Sequence, residues 1–189
     1  MVEEVRSASQ EGLRQVFFGE NNKRWKEETQ DEVEGKKKKE EAMTPKVREY
    51  VKSLSLSGFA IEVGSLDVNG KVSDLFPEYV GLDMRAGPNV TSVANAHDIP
   101  YWSNVFDVVL CLEMLEHDTD PFQTIKELRR VLRKGGTLVL TACGISHPLH
   151  SYPSDYWRFT TDAFRLLFDG LHVGDVRSDS DHVYGWARK

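Results

Sequence analysis

The chain has 189 residues, of which 40% are hydrophobic and 29% are charged, and its formal net charge is -6 at pH 7. This length is enough for one domain with a buried core and too short for two ordinary domains. The acidic balance argues against a general nucleic-acid binder, because such proteins hold phosphates through an excess of Lys and Arg. We therefore expect a globular protein and do not expect nucleic acid as its partner.

The N-terminus and the cysteines bear on where the protein works. The first residues carry acids and lack the apolar core of a secretory signal, and no apolar stretch is long enough to cross a bilayer. Cys111 and Cys143 each end an apolar run, which is typical of buried thiols in a reducing compartment rather than of a disulfide. The sequence therefore predicts a cytoplasmic protein with no membrane partner.

The composition changes near residue 44. Residues 1–43 are rich in Glu, Lys, Gln and Asn and are predicted to form a helical or partly disordered extension. From residue 44 to residue 189 the pattern is that of one folded domain. Thr44 is a candidate N-cap, Pro45 suits a first helical turn, and an apolar helical stripe follows at Val47, Tyr50, Val51 and Leu54.

Short apolar runs predict four buried strands, at residues 59–63, 79–82, 105–112 and 137–141. Between the last two, Asp120 can cap a helix that begins at Pro121 and ends before Gly135 and Gly136. The predicted buried face of this helix consists of Phe122, Ile125, Leu128 and Leu132.

The last part of the domain is predicted to contain one more helix and two strands. The helix begins at Thr160 or Thr161 and carries Ala163, Phe164, Leu167 and Phe168. The strands cover residues 171–177 and 182–188 and flank a polar turn, so they should pair as a hairpin. Alternation of strands and helices predicts an α/β fold with a doubly wound, mostly parallel sheet and a C-terminal antiparallel hairpin.

A glycine-containing loop follows the first strand, in the segment IEVGSLDVNG at residues 61–70. Glycine at Gly64 and Gly70 lets the backbone approach a ligand closely at this edge of the sheet. Asp83 follows Gly64 by 19 residues at the end of the second strand, where a carboxylate can accept the hydroxyl protons of a ribose. The alternative role of Asp83 is that of an acid in a turn.

The same layout occurs in dinucleotide-binding dehydrogenases, which differ in their loop. Their three glycines in the pattern G-x-G-x-x-G hold a pyrophosphate at a helix N-terminus. Here the middle glycine is absent, and Asp67 places negative charge where phosphates would lie. Acids at Asp67 and Glu62 suit a cationic ligand without phosphate better, so the dehydrogenase hypothesis is the weaker one.

Six segments occur in the order that class I S-adenosylmethionine-dependent methyltransferases show: IEVGSLDVNG (61–70), YVGLD (79–83), NAHDIP (95–100), FDVV (106–109), EMLEH (113–117) and LRKGGT (132–137). The chain resembles this family from Thr44 to Lys189, and in particular the broad group that includes ubiquinone-biosynthetic O-methyltransferases. The resemblance implies a Rossmann-like fold, methyltransferase activity and S-adenosylmethionine as the cofactor.

The resemblance also implies which residues contact the cofactor. Residues 64–70 would surround its methionine part, Asp83 its ribose and residues 95–97 its adenine, with Leu112 and Glu113 below. The full set is Glu62, Gly64, Ser65, Asp67, Gly70, Asp83, Met84, Asn95, Ala96, His97, Leu112 and Glu113. Two positions depart from the family pattern: the first loop reads Gly64-Ser65-Leu66 instead of G-x-G, and Asn95 replaces the acid that meets the adenine amino group, although its amide oxygen can still accept.

Residues 145–159 follow the predicted strand at 137–141 and are rich in aromatic and titratable side chains. They are predicted to form one wall of the substrate pocket. We predict His117, Tyr156 and Asp155 as catalytic residues, with His117 as the general base for an acceptor. The alternative role of His117 is a loop cap. Glu113, Glu116 and His117 are close enough in sequence to bind a metal, but they have no further partner in the sequence, and Pro148 separates His147 from His150, so no metal is expected.

The leading hypothesis is methyl transfer to an oxygen or nitrogen atom of a small-molecule acceptor. The alternatives are methylation of a protein or nucleic acid, and a subunit that binds S-adenosylmethionine without catalysis. The sequence does not indicate the oligomeric state.

Overall fold

A seven-stranded sheet forms the centre of the computed structural model, which describes residues 45–66, 70–150 and 154–189. The strands are β1 (Phe59–Val63), β2 (Glu78–Asp83), β3 (Ser92–Val93), β4 (Phe106–Leu112), β5 (Leu132–Cys143), β6 (His172–Ser178) and β7 (His182–Arg188). The helices are α1 (Pro45–Ser53), α2 (Pro121–Val131) and α3 (Thr161–Leu167), with 3-10 turns at Ser73–Leu75 and Leu115–His117. The predicted extension at residues 1–43, the Thr44 cap and Asp67 lie outside the described residues.

The strands follow the order β3-β2-β1-β4-β5-β7-β6. The first five strands are parallel, and β7 runs antiparallel to both β5 and β6. Successive strands extend outwards from β1 on one side and from β4 on the other, so the chain direction across the sheet reverses between β1 and β4. Open α/β sheets bind ligands at such a reversal, outside the carboxyl ends of the strands. The predicted sheet with a terminal hairpin is confirmed.

Both faces of the central strands are buried. In β1 and β4, Ile61 and Val109 pack into the core that contains residues of α2 and α3, whereas Ala60 and Val108 pack into the core of α1. This alternation arises because successive side chains of a strand point to opposite faces. Because a core covers each face of β1 and β4, the sequence shows unbroken apolar runs there rather than an apolar-polar alternation.

Helix α2 is capped as predicted but differs from the prediction in its buried face and its end. Asp120 accepts a hydrogen bond from the Gln123 N–H at 3.1 Å. Phe122, predicted to be buried, is 61% exposed, because the buried stripe passes through Pro121, Thr124, Ile125, Leu128 and Val131 and leaves Phe122 at its margin. Leu132 is buried but begins β5, and Gly135, predicted to stop the helix, lies within β5 with a φ of +75°.

Cap and burial predictions elsewhere agree with the structure. The Thr160 hydroxyl caps α3 by accepting from the Ala163 N–H at 3.0 Å, and Cys111 and Cys143 are buried free thiols. The three described helices contain between 7 and 11 residues. None of them combines the length and the apolar character of a bilayer span.

Glu127 and Arg130 of α2 fix the segment that leads into β4. A Glu127 carboxylate oxygen accepts the Ile99 N–H at 2.9 Å and an Arg130 N–H at 2.6 Å. The Arg130 guanidinium also donates to the carbonyls of Ile99 at 2.7 Å and Tyr101 at 2.6 Å. This guanidinium holds the pKa of Glu127 below its usual value, which shows that the ionised form is the one stabilised in the fold.

We expect Glu127→Gln to lower the free energy of unfolding by about 1–2 kcal/mol, because a neutral amide next to Arg130 loses the charge-assisted hydrogen bonds. Lys126→Gln, at an exposed position of the same helix, should change it by less than about 0.5 kcal/mol. Urea denaturation followed by circular dichroism measures both variants. Equal stability of the two variants would contradict the role given to Glu127.

Candidate active site

The functional side chains lie where five parallel strands end. Val63, Asp83, Val93, Leu112 and Cys143 are the last residues of β1 to β5 in chain order. Parallel strands bring these ends to one edge of the sheet, so the segments that follow them become neighbours. Most of the predicted site residues belong to these segments, and their contacts show how the edge is built.

The turn after β1 is set by Gly64. The N–H groups of Gly64 and Ser65 both donate to the Leu82 carbonyl of β2, at 2.8 and 3.1 Å. Gly64 has a φ of +85°, and a Cβ atom there would lie 2.5 Å from Cγ of Met114. Glycine is therefore required both by the backbone conformation and by the close approach of the segment after β4.

Asp83 joins the end of β2 to the turn after β1. Its Oδ2 accepts the Leu66 N–H at 3.3 Å, and its Oδ1 accepts the Arg85 N–H at 3.0 Å. Asp83 therefore has the alternative role that the sequence allows, that of an acid in a turn. Each carboxylate oxygen has a second lone pair, and the residue is half-buried, so it keeps the capacity to accept from a ligand hydroxyl. The neighbouring Met84 is 68% exposed.

Glu62 stabilises the same turn indirectly, through Tyr79 and Asn89. Its carboxylate is buried and accepts a hydrogen bond from the Tyr79 hydroxyl. The Asn89 side-chain amide donates to the Tyr79 oxygen at 2.8 Å and to the Ser65 carbonyl at 3.0 Å. Tyr79 and Asn89 were not among the predicted site residues. The segment Gly87-Pro88-Asn89 is a turn signal that fits the left-handed φ of +68° at Asn89.

The predicted adenine segment after β3 is held by contacts within the protein. The side-chain oxygen of Asn95 accepts the His97 N–H at 2.9 Å, so this oxygen caps its own loop. The His97 ring contacts the Asp118 carboxylate, with Nε2 and Oδ1 2.7 Å apart. Ala96 between them is partly buried against the core. The structure thus connects the loop after β3 to the segment after β4.

Among the buried polar atoms that have no hydrogen-bond partner in the described residues, two lie directly after β1 and β4. They are Oγ of Ser65, after β1, and Oε1 of Glu113, after β4. Glu113 follows the buried Leu112, has a φ of +50° and donates its N–H to the Thr141 carbonyl at 3.0 Å. Burial raises the pKa of Glu113 to about 8, and the nearby Glu116 carboxylate adds to the increase. Unpaired buried atoms are costly, so they mark a place where a ligand can bind.

A second cluster lies beside the first and contains four histidines in a row. Ring centroids are 4.8 Å apart for His117 and His150, 5.5 Å for His150 and His147, and 5.2 Å for His147 and His182. The Cys143 thiol lies 3.2 Å from the Glu116 carboxylate, and both groups lie close to His150 of this row. The structure therefore brings His117 together with the segment after β5, as the sequence predicted.

Asp155 and Tyr156, the other predicted catalytic residues, have different surroundings. The side chain of Asp155 is only 6% exposed, and both of its carboxylate oxygens accept from the Arg158 guanidinium. That guanidinium holds the pKa of Asp155 well below its usual value, so the residue is a permanent anion. Tyr156 is 54% exposed, and its backbone N–H donates to the Glu116 carbonyl at 2.8 Å. Asp155 has the contacts of a positioning residue, whereas Tyr156 can meet a ligand.

Comparison with known proteins adds a family to this geometry. Residues 54–140 match a family described as a methyltransferase domain. A tRNA U34 carboxymethyltransferase of Campylobacter fetus is 44% identical over 43 residues, which are 23% of this chain and 15% of that protein. The ubiquinone/menaquinone biosynthesis C-methyltransferase of Hahella chejuensis is 38% identical over 81 residues, which are 42% of this chain and 32% of that protein. The matched segments thus span less than a third of either relative.

Solved structures share the fold over a longer part of the chain. A methyltransferase of Thermotoga maritima has a TM-score of 0.64 and 17% identity, over 84% of this chain and 95% of its own. The 1,6-didemethyltoxoflavin-N1-methyltransferase of Burkholderia thailandensis, solved with that compound and S-adenosylhomocysteine, has a TM-score of 0.60 and 14% identity, over 84% and 83%. Residues 54–140 thus match a methyltransferase-domain family, and the chain shares the fold of S-adenosylmethionine-dependent methyltransferases.

Within this methyltransferase domain, the family match covers the turn after β1, Asp83, the loop after β3 and the turn after β4. It ends at residue 140 within β5. The segment that contains His147, His150 and Asp155 therefore lies beyond the matched part. The family match therefore covers the segments in which cofactor contacts are predicted and leaves out the segment after β5.

We expect Asp83→Ala to weaken S-adenosylmethionine binding by about 1.5–3 kcal/mol, the scale of losing charge-assisted hydrogen bonds. Asp83→Asn retains one acceptor oxygen for the turn and should lose less. Asp162→Ala, at an exposed position of α3, serves as the control. Isothermal titration measures the affinities, and circular dichroism checks the fold. Unchanged affinity in Asp83→Ala would show that Asp83 only shapes the turn.

Proposed function

We propose that the protein transfers a methyl group from S-adenosylmethionine to an oxygen or nitrogen atom of a small molecule. The observation that carries this proposal is that Asp83, Ser65 and Glu113 stand at or just after the ends of neighbouring strands at the reversal point of the sheet, where Oγ of Ser65 and Oε1 of Glu113 are buried and unpaired among the described residues. The bound cofactor supplies an electrophilic methyl group on a sulfonium centre. The residues around it have to bind the cofactor, orient the acceptor and remove the acceptor's proton.

The charge at this edge fits such a cofactor. Glu62 and Asp83 lie at the ends of neighbouring strands, and a cationic sulfonium and amino group would offset the charge of their carboxylates. The same cation would favour the ionised form of Glu113, whose pKa burial raises to about 8. A pyrophosphate would add negative charge to the same place. The Asp83 carboxylate has lone pairs for ribose hydroxyls, and Oγ of Ser65 and Oε1 of Glu113 offer buried polar partners.

The acceptor side lies in the segment after β5. Tyr156 and Trp157 are 54% and 41% exposed, and Ile145 and Leu149 are more exposed still, so this segment presents apolar surface next to His117. Arg158 is the only Lys or Arg between residues 145 and 159, and Asp155 holds its guanidinium. A segment without a free cation is poorly suited to nucleic-acid phosphates, which favours a small acceptor.

We expect the protein to bind S-adenosylmethionine and S-adenosylhomocysteine and not NAD, because the acids at the sheet edge repel a pyrophosphate. Isothermal titration with the three ligands tests this. Tighter binding of NAD would overturn the assignment. Incubation with cofactor labelled in its methyl group, using separate small-molecule, RNA and protein pools, should label the small-molecule pool. Label found only in RNA or protein would overturn the acceptor class.

We expect His117 to serve the acceptor rather than the cofactor, since the cofactor contacts are assigned to other segments. His117→Ala and Tyr156→Phe should leave cofactor affinity within about twofold of the original. Turnover of the labelled acceptor fraction should fall by roughly 10²-fold or more in His117→Ala. His172→Ala, at an exposed position of β6, is the matched control. A large loss of cofactor affinity in His117→Ala would refute the division into two sides.

A further inference from the structure

Two histidine nitrogens face each other between the segments after β4 and β5. Nε2 of His117 and Nε2 of His150 lie 3.1 Å apart. Whether this contact is attractive depends on where the ring protons are. The partners of the two Nδ1 atoms decide that question.

The proton of a neutral His117 belongs on Nδ1. This nitrogen lies 2.5 Å from the Ser154 carbonyl oxygen, which can only accept a hydrogen bond. Nδ1 must therefore donate. The lone pair of the neutral ring is then on Nε2 and points towards His150.

The Nδ1 atom of His150 faces a carboxylate rather than a carbonyl. Its Nδ1 lies 3.3 Å from Oδ2 of Asp155, a carboxylate that Arg158 keeps ionised. The His150 backbone N–H also donates to that oxygen, at 2.8 Å. This is an ion-pair contact without the alignment of a hydrogen bond, since Nδ1 has no hydrogen-bond partner among the described residues. The neighbouring anion still favours a proton on Nδ1, which leaves the lone pair of the neutral ring on Nε2.

Two lone pairs 3.1 Å apart repel each other unless positive charge lies near both. Two imidazole nitrogens that bind one tetrahedral metal ion at 2.0–2.1 Å are separated by about 3.3 Å, close to the distance here. Metal-binding histidines also donate their other ring N–H to a carbonyl or carboxylate, as Ser154 and Asp155 allow. A shared proton could bridge the nitrogens as well, but it would leave the third group of the cluster unexplained.

That third group is Glu116, whose side chain is almost fully buried. Its Oε2 has no hydrogen-bond partner among the described residues. One carboxylate oxygen of Glu116 and one nitrogen of each of His117 and His150 all lie within 4.8 Å of one another. A cation at their centre would satisfy the buried carboxylate and both lone pairs together.

We propose that Glu116, His117 and His150 bind one divalent transition-metal ion of the zinc class. Two histidines and one carboxylate form a three-ligand set that leaves a coordination position open, as catalytic zinc sites do. Resting on the proposed function, we assign this position to an oxygen atom of the acceptor, whose hydroxyl pKa the metal lowers. His117 is then a metal ligand and not a general base, and the acceptor class is narrowed to hydroxyl compounds.

This site departs from the expectation that no metal binds. The sequence offered Glu113, Glu116 and His117 without a further partner, and the structure supplies His150 from a distant segment. A neighbouring set of potential ligands, Cys143, His147 and His150, also lies within 4.8 Å and shares His150. The two sets differ in Glu116 and Cys143, so variants of those residues distinguish them.

The test is titration of Zn²⁺ into protein that has been freed of metal with a chelator, in the absence of S-adenosylmethionine. We expect one equivalent to bind and to raise the melting temperature. Affinity should fall by at least about 10²-fold in His150→Gln and in Glu116→Gln, and stay within threefold in His172→Ala. Circular dichroism confirms that each variant is folded, and His117→Gln gives an independent second variant for the same ligand set.

Absence of binding by the original protein, or unchanged affinity in His150→Gln, would overturn the metal site. Loss of binding in Cys143→Ser with no loss in Glu116→Gln would overturn the proposed ligand set in favour of Cys143 and His147. Because the titration contains no cofactor, its failure leaves the methyltransferase proposal standing. Conversely, a failure to bind S-adenosylmethionine leaves the metal measurement valid.

Discussion

The backbone carbonyl of Glu116 holds the segment after β5 against the edge of the sheet. It accepts the N–H groups of Tyr156 and Trp157, at 2.8 and 3.3 Å, and the Trp157 indole N–H donates to the next carbonyl but one, that of Asp118, at 2.6 Å. These bonds use backbone groups, so they fix the path of the segment regardless of most of its side chains. Because Asp155 directly precedes Tyr156, the same bonds also determine where His150 and His117 meet.

The residues from Met114 to Asp118 connect the two sides of the site. Met114 packs against the glycine turn after β1, and the Asp118 carboxylate holds both His97 and the Thr124 hydroxyl of α2, the latter at 2.6 Å. Glu116 and His117 between them face the segment after β5. We therefore expect a change in this short stretch to affect both the turn after β1 and the segment after β5.

Sequence patterns located most strands because burial on both faces leaves a continuous apolar run. The predicted strands at 59–63 and 182–188 coincide with β1 and β7. The prediction failed where the pairing is long-range. Strand β5 begins at Leu132, well before the predicted residue 137, because Gly135 and Gly136 exchange hydrogen bonds with Lys189 at the end of the chain, at 2.7 and 3.1 Å. No local periodicity contains that information.

The site shows the same limit. The predicted strand ends indicate which segments lie at one edge of the sheet, so the sequence alone places Gly64, Asp83, Glu113 and His117 together there. The sequence does not indicate which side-chain atoms of these segments contact one another. The contact between His117 and His150 joins residues 33 positions apart, and Pro148, which argued against a local histidine pair, does not prevent a contact that is set by docking of the whole segment.

The two sides of the edge are built from different groups, and this difference has a physical consequence. On the cofactor side the turn after β1 is held mainly by backbone N–H groups, which bind to the Leu82 carbonyl and to Asp83. On the other side, side chains of Glu116, His117, His150 and Asp155 face one another, with buried atoms unpaired. Backbone contacts constrain few residue types, whereas a cluster of partly buried titratable side chains depends on the partners of each member. On the proposed function, this cluster would select the acceptor, whereas the backbone-held turn after β1 would suit proteins with other acceptors as well.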